Sequence, residues 1–180
     1  MSIDEDAASR GISARCPTDS WKRGISADEW GPDGWCLLHF VAMAMPPALD
    51  ATSRFRFVSY VRTLAFVLPC YACRRHCHAY FESLEQCALR TRWDCVTLIG
   101  DFHNAVNVRL GKPVVHPDIR SRTISVECAI SSYRRFRESV RRACPVFTTD
   151  EELECFRGHF RMLRELLTES DRPGSSNFSR

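Results

Sequence analysis

From Trp30 to Leu167 the apolar side chains recur at steps of three and four, and no segment of note alternates with the two-residue period of a strand. A chain patterned this way folds as packed helices. Trp35, Leu38, Ala42 and Met45 mark a first helix that opens at Pro32 and Asp33 and stops at Pro46 and Pro47. A second, from about Ala51 to Leu68, presents Phe57, Val61, Leu64, Ala65 and Leu68 on one face and ends at Pro69. A third starts at Cys70 and runs through Tyr80, Phe81 and Leu84; a fourth, from about Trp93 to Leu110, buries Cys95, Leu98, Ile99, Phe102 and Val106 before Gly111 and Pro113. Two more follow, near residues 122 to 143 and after Thr149. Thr149 and Glu152 form a capping-box pattern, and Leu153, Phe156, Phe160, Leu163 and Leu167 draw a narrow seam suited to another helix.

With 180 residues, 44% of them hydrophobic, the chain can bury the core of one domain. Residues 1 to 27 are rich in Ser, Ala, Asp and Gly without a period and read as a mobile lead. The formal net charge of +3 is small, and the arginines are interspersed with acids, which disfavours nucleic acid as a partner. No apolar run approaches the roughly 20 residues of a membrane span, and the N-terminus is polar rather than signal-like. A soluble, unsecreted protein is expected. Among many basic residues only Lys22 and Lys112 are lysines. A compact ammonium differs chemically from a guanidinium fork, so Lys112 just past the fourth helix is a candidate for a specific role.

The chemistry concentrates in two segments. Leu68-Pro69-Cys70-Tyr71-Ala72-Cys73 places two thiols one helical turn apart, close enough to form a small disulfide ring and exchange it with another dithiol. Cys70 falls in a first helical turn, where unpaired N–H groups and the helix dipole favour a thiolate. Thirty residues on, His103, Asn104 and Asn107 put an imidazole and two amides inside a helix, where asparagine costs roughly 0.5 kcal/mol relative to alanine. His103 and Asn107 share a face. Such a stripe suits a heteroaromatic ring or a ribose, or else a buried hydrogen-bond network.

Cys-x-x-Cys alone leaves several chemistries open. Haem attachment would need His after the second Cys and meets Arg74 instead. A zinc-binding interaction module could use Cys70, Cys73, His76, Cys77 and His78, with Cys87 and Cys95 as a second pair. A thioredoxin-like fold would need βαβ units around the dithiol, which a helical chain lacks. A helical dithiol protein needs another electron sink, and a flavin can take two electrons from a thiolate and hand them to oxygen.

The segments Trp30-Gly31 with Trp35-x-x-x-His39, then Cys70-x-x-Cys73, then His103-Asn104-x-Val106-Asn107-x-x-Leu110-Gly111-Lys112-Pro113 resemble, in order and spacing, the Erv/ALR family of FAD-dependent sulfhydryl oxidases. The forms Trp30-Gly31-Pro32-x-x-Trp35 and Leu68-Pro69-Cys70-x-x-Cys73-Arg74 look most like members encoded by large DNA viruses. The resemblance implies an all-α four-helix bundle with a short fifth helix, here spanning residues 28 to 116 as the FAD-binding domain, with 117 to 180 as a helical C-terminal extension. It implies a homodimer. It makes Cys73 the flavin-proximal thiol and Cys70 the outer thiol attacked by substrate, and it matches Gly31, Trp35, His39, His103, Asn104, Val106, Asn107 and Lys112 to FAD-contact positions. The implied activity oxidises dithiols of protein substrates, or of a redox shuttle protein, and passes the electrons to molecular oxygen, yielding hydrogen peroxide. A virally encoded member would act in host cytoplasm or the virion; cellular relatives act in the mitochondrial intermembrane space.

Departures from the family pattern are also legible. Gly100 and Pro117 stand where many relatives carry a structural disulfide, and Val114-Val115-His116 replaces an aromatic residue near the flavin, with His116 a candidate substitute. Shuttle candidates are Cys16, Cys128, Cys144 and Cys155. Cys36, Cys87 and Cys95 are expected as buried thiols. Cys77 is expected as a spectator, and His76, His78 and His159 as solvated helix residues.

Overall fold

The structure is a computed structural model that describes residues 25–115, 124–143, 145–147 and 149–171. Cys16, His116, Pro117, Cys144 and the segment 172–180 lie outside the described residues, as does any short helix between 116 and 123. The described residues form six α-helices: α1 Ala27–Ala44, α2 Ala51–Thr63, α3 Tyr71–Phe81, α4 Arg92–Arg109, α5 Val126–Arg142 and α6 Asp150–Ser170. No strand occurs among the described residues; Ala48 and Thr91 form one isolated bridge that ties the two loops flanking α2 and α4. The all-α class expected from the periodicity is what the chain adopts.

Each helix begins on a side-chain cap. Ser26, Asp50, Thr91, Ser125 and Thr149 accept from backbone N–H groups two or three residues on, and Cys70 does the same for α3 with its sulfur. Thr91 and Asp94 complete a reciprocal capping box at α4. Gly111, at φ 66°, closes the other end of that helix: its N–H reaches the Val108 carbonyl, and the Lys112 N–H reaches the Asn107 carbonyl at 2.8 Å. This is the paired C-terminal motif that a left-handed residue makes possible.

Two helix boundaries differ from expectation. α1 starts at Ala27, five residues before Pro32, because Ser26 caps it and Asp28 and Glu29 occupy the first turn, where the dipole favours acids. Pro32 is therefore inside the helix rather than at its start. At the end of α2 the chain leaves the α-helix at Thr63 and tightens into a 3₁₀ turn, Leu64–Phe66. Pro69 disfavours helical geometry for the residue before it, so the winding ends short of Leu68.

α1 is the axial element. Leu37, Phe40, Val41 and Ala42 are almost wholly buried, and the helix packs against α4 and against α5. Gly34 allows the α5 approach: a Cβ there would stand 3.5 Å from the Phe136 ring, and Trp30 meets that ring edge-on at 6.3 Å. Arg135 of α5 forks onto Asp33 of α1 at 2.7–3.1 Å. α6 lies on α2, with Leu163, Leu166 and Leu167 inside the core.

The seam of α6 is rotated from the expected one. His159, expected in solvent, is completely buried and stacks on Tyr60 at 4.6 Å, whereas Phe156 and Phe160 are only half-buried. Thr63 Oγ1 donates its one hydrogen to the Ser59 or Tyr60 carbonyl, so the 3.1 Å contact with His159 Nδ1 is a bond donated by the imidazole. Burial depresses the His159 pKa from 6.5 to about 3.

The unfolded chain therefore takes up a proton between pH 6.5 and 3 that the folded chain refuses. Stability contributed by neutral His159 is complete above pH 6.5 and drains as pH falls toward 3, by a few kcal/mol on the order of ~1.4 per pKa unit. Urea unfolding of wild type and His159→Phe across pH 7 to 4 should show this acid loss in wild type and a flatter profile in the variant. Parallel profiles would contradict it.

Candidate active site

Pro69 and Cys70 form the junction between the 3₁₀ turn and α3. The Pro69 carbonyl accepts from Ile25 N–H at 3.3 Å, which fastens the start of the described chain to this corner. Cys70 sits at the N-cap in extended conformation and Cys73 in the first turn, and the two are joined as a disulfide with Cα atoms 5.2 Å apart. The Cys73 N–H points at Cys70 Sγ, 3.3 Å away. A thiolate at Cys70 would find that donor and the positive helix end already in place. Cys77, one turn further, is fully buried, and burial pushes its thiol pKa well above the usual range. It stays protonated beside the disulfide.

Cys73 forms part of the wall of a cavity of about 750 Å³ bounded by α1, the 3₁₀ turn, the start of α3 and the C-terminal half of α4. That volume is in the range of small-molecule pockets, roughly 300–1,000 Å³. Of the sequence-selected residues, Gly31, Trp35, His103, Val106, Asn107 and Lys112 line it. Trp35 and His103 stack face to face, centroids 3.8 Å apart and planes 5° from parallel. His39 stands behind this pair, its Nε2 3.1 Å from His103 Nδ1. The helix spacing explains the arrangement: positions 35 and 39 on α1 and 103 and 107 on α4 each repeat on one face, and the two helices meet there.

Asn104 is placed differently. It does not line the cavity; its amide clasps the backbone of Val115 from both sides, Nδ2 to the carbonyl at 3.1 Å and Oδ1 from the N–H at 2.9 Å. Through Val115 it holds the segment after α4, Lys112 and Pro113 included, against the cavity mouth. Lys112 Nζ lies 4.0 Å from Asp28 with both side chains largely exposed, a weak pair. Sequence reasoning did not select Trp30, Leu38, Phe102 or His76, which also line the cavity. His76 was expected in solvent; instead it is half-buried, stacks on Phe102 at 5.8 Å, and has its pKa lowered by burial and then by Arg109. The i to i+3 step from Cys73 to His76 was the available signal.

Other thiols depart from expectation as well. Cys95 is buried, its pKa pushed up to about 12, but Cys87 is exposed and Cys36 only half-buried. Among the described residues no group of three or more His, Cys, Asp or Glu could hold a metal ion, and the disulfide occupies both thiols on which a zinc module would depend.

The fold and site define a class: an all-α protein presenting a Cys-x-x-Cys disulfide on the wall of a ligand-sized cavity. The Erv1 / Alr family model matches residues 32–127, more than half of the chain, and the chain belongs to that family. The match ends at the second residue of α5. Similar proteins include one named as a FAD-linked sulfhydryl oxidase from Invertebrate iridescent virus 6, 32% identical over 100 residues that cover 48% of this chain and 83% of that one. Another, so named from Acanthamoeba polyphaga mimivirus, is 30% identical over 95 residues, 51% of this chain and 65% of the relative. The FAD-linked sulfhydryl oxidase of African swine fever virus is 29% identical over 86 residues, 48% and 71% of the two chains. No solved structure matches the chain.

Asn104→Ala should leave the helices intact and free the segment after α4. Hydrogen exchange at the Val115 amide should accelerate by an order of magnitude or more, with the interior of α4 unchanged. Unchanged exchange at Val115 would show that the clasp does not hold that segment.

Proposed function

We propose that this chain is a FAD-linked thiol oxidase that forms disulfide bonds in protein substrates. One observation carries the reading above the others: the Cys70–Cys73 disulfide stands with Cys73 on the wall of a cavity that the stacked Trp35–His103 pair and Asn107 also line. The names of the viral relatives point to the same chemistry.

The residues fit a flavin nucleotide. A planar heteroaromatic system suits a lining rich in Trp30, Trp35, Phe102 and His103, and Asn107 offers an amide donor and acceptor. Trp30 supplies a further sign: its Nε1 is buried in this lining and has no hydrogen-bond partner among the described residues, so a donor is available for an acceptor atom. Lys112 at the mouth gives a compact cation for a pyrophosphate. When bound, FAD supplies a two-electron acceptor for thiols and passes the electrons to molecular oxygen, with hydrogen peroxide as product.

The chain's own part is thiol exchange. A client thiolate, or one of a shuttle protein, attacks Cys70 Sγ, the Cys70–Cys73 bond breaks, and Cys73 leaves with the electron pair. A second client thiolate attacks the mixed disulfide, which releases the client as a disulfide and Cys70 as a thiolate. The Cys73 N–H and the first-turn amides stabilise the charge on Cys70, which favours its departure. Cys73 is then reduced at the cavity wall, and buried Cys77 does not compete for it. The proposal includes a homodimer, for which exposed Trp93, Val108 and Leu110 offer apolar surface, and action in host cytoplasm or the virion, in keeping with relatives from large DNA viruses.

The test is the visible spectrum of purified protein on anaerobic addition of dithiol and readmission of air. Bands that bleach and return establish the reading, and a colourless protein inert toward dithiols overturns it. Cys73→Ala should retain bound flavin and lose at least 100-fold in dithiol-driven oxygen consumption; retained turnover would remove Cys73 from the electron path. His103→Ala should lower flavin occupancy and, with it, Tm, because a ligand bound only to the folded state stabilises it by mass action. Full occupancy in this variant would place the flavin elsewhere.

A further inference from the structure

Two cysteines outside the active pair meet across the α1–α5 contact. Cys36 Sγ lies 3.9 Å from Cys128 Sγ, although the residues are 92 positions apart in sequence. We propose that Cys36 and Cys128 form a second disulfide, a redox-dependent staple between α1 and α5.

The surroundings hold the two sulfurs in place. One turn before Cys36, Asp33 is gripped by Arg135, whose side chain also reaches Ser132, so the helices are pinned to one another on this stretch. Gly34 lets α5 approach α1 closely at the same level. Cys128 occupies the first turn of α5, its N–H bonded to the Ser125 cap at 3.2 Å. Closing 3.9 Å to a bond of about 2.05 Å calls for side-chain rotation of a kind that staggered χ1 wells provide. Both thiols are accessible enough to react, Cys128 exposed and Cys36 half-buried.

The reaction balances as a thiol–disulfide exchange. Exposed Cys128, as thiolate, attacks a sulfur of an acceptor disulfide, either the Cys70–Cys73 bond of a second copy or a small-molecule disulfide, and one acceptor thiolate leaves. Cys36 thiolate then attacks Cys128 Sγ and expels the second. Two thiols are oxidised to one disulfide, the acceptor is reduced to two thiols, and the two protons lost from Cys36 and Cys128 are taken up by the leaving thiolates. No flavin takes part when the acceptor is a small molecule, so the staple stands or falls separately from the oxidase reading.

The staple would cross-link a helix on the cavity wall to one lying almost wholly beyond the family match. It closes a long loop of the unfolded chain, the situation in which a cross-link restricts the denatured ensemble most. The oxidised protein should then be the more heat-stable, with α5 held on α1.

Trypsin makes the test specific, because the peptides 24–54 and 123–134 contain one cysteine each. Full-length protein equilibrated with excess oxidised glutathione, blocked with N-ethylmaleimide and digested without reductant should yield these two peptides joined, and dithiothreitol should separate them. Tm should fall in wild type on reduction by roughly 5 °C or more beyond the fall in Cys128→Ser. Cys36→Ser should match Cys128→Ser. Recovery of both peptides alkylated or singly glutathionylated under the oxidising buffer would overturn the proposal, as would Cys128 joined to any cysteine other than Cys36.

Discussion

Burial of α1 on two sides is the constraint on which the rest of the molecule depends. Its residues must serve two neighbours at once: Gly31, Trp35 and Leu38 face the cavity beside α4, while Asp33, Gly34 and Cys36 meet α5. A helix so enclosed has little freedom to shift, since Leu37, Phe40, Val41 and Ala42 are packed with almost no exposed surface. The stacking of Trp35 on His103 is thereby fixed by packing behind it rather than by the ring contact alone.

The disulfide is positioned by a different device, the break between two helical segments. Chain winding stops at Phe66, Pro69 forbids its resumption, and the next residue able to cap a helix is Cys70 itself. Capping by a sulfur places that atom over the exposed N–H groups of the first turn, and the next cysteine three residues later falls on the cavity side. The same local rule that starts α3 thus puts Cys70 at the helix N-cap and Cys73 on the cavity wall. Ile25 hydrogen-bonds the Pro69 carbonyl, so the entry to α1 and the entry to α3 are fixed to each other at this corner.

The order of the described helices was legible because period and punctuation agree: Pro46-Pro47, Pro69 and Gly111 mark real boundaries. Exact starts were less so, since Ser26 with Asp28 and Glu29 outweighed Pro32 as the opening signal of α1. At the site, motif spacing brought Trp35, His103, Asn107 and Cys73 to one cavity, but spacing on α4 could not reveal that Asn104 turns to the backbone of Val115. That partner lies eleven residues on, and only the left-handed Gly111 returns the chain to it. His159 was misread for a related reason. Its helix carries two candidate stripes, and the choice between them is made by Tyr60 and Thr63 on α2, nearly a hundred residues away.

α5 and α6 lie beyond all but the edge of the family match, yet they cannot be treated as an appendage. Phe136 fills the space above Gly34, and Leu163 and His159 are as buried as any residue of the first four helices. Removing them would uncover Trp30, which lines the cavity, and Tyr60 on α2, at a cost on the order of 1.5–3 kcal/mol per large apolar side chain uncovered. The extension therefore acts on the site through packing: it fixes α1 from behind, and α1 in turn fixes the Trp35 ring against which His103 stacks. A site built this way tolerates change on its solvent rim better than change on the α5-facing side of α1, where Trp30 and Gly34 meet Phe136 and also line the cavity.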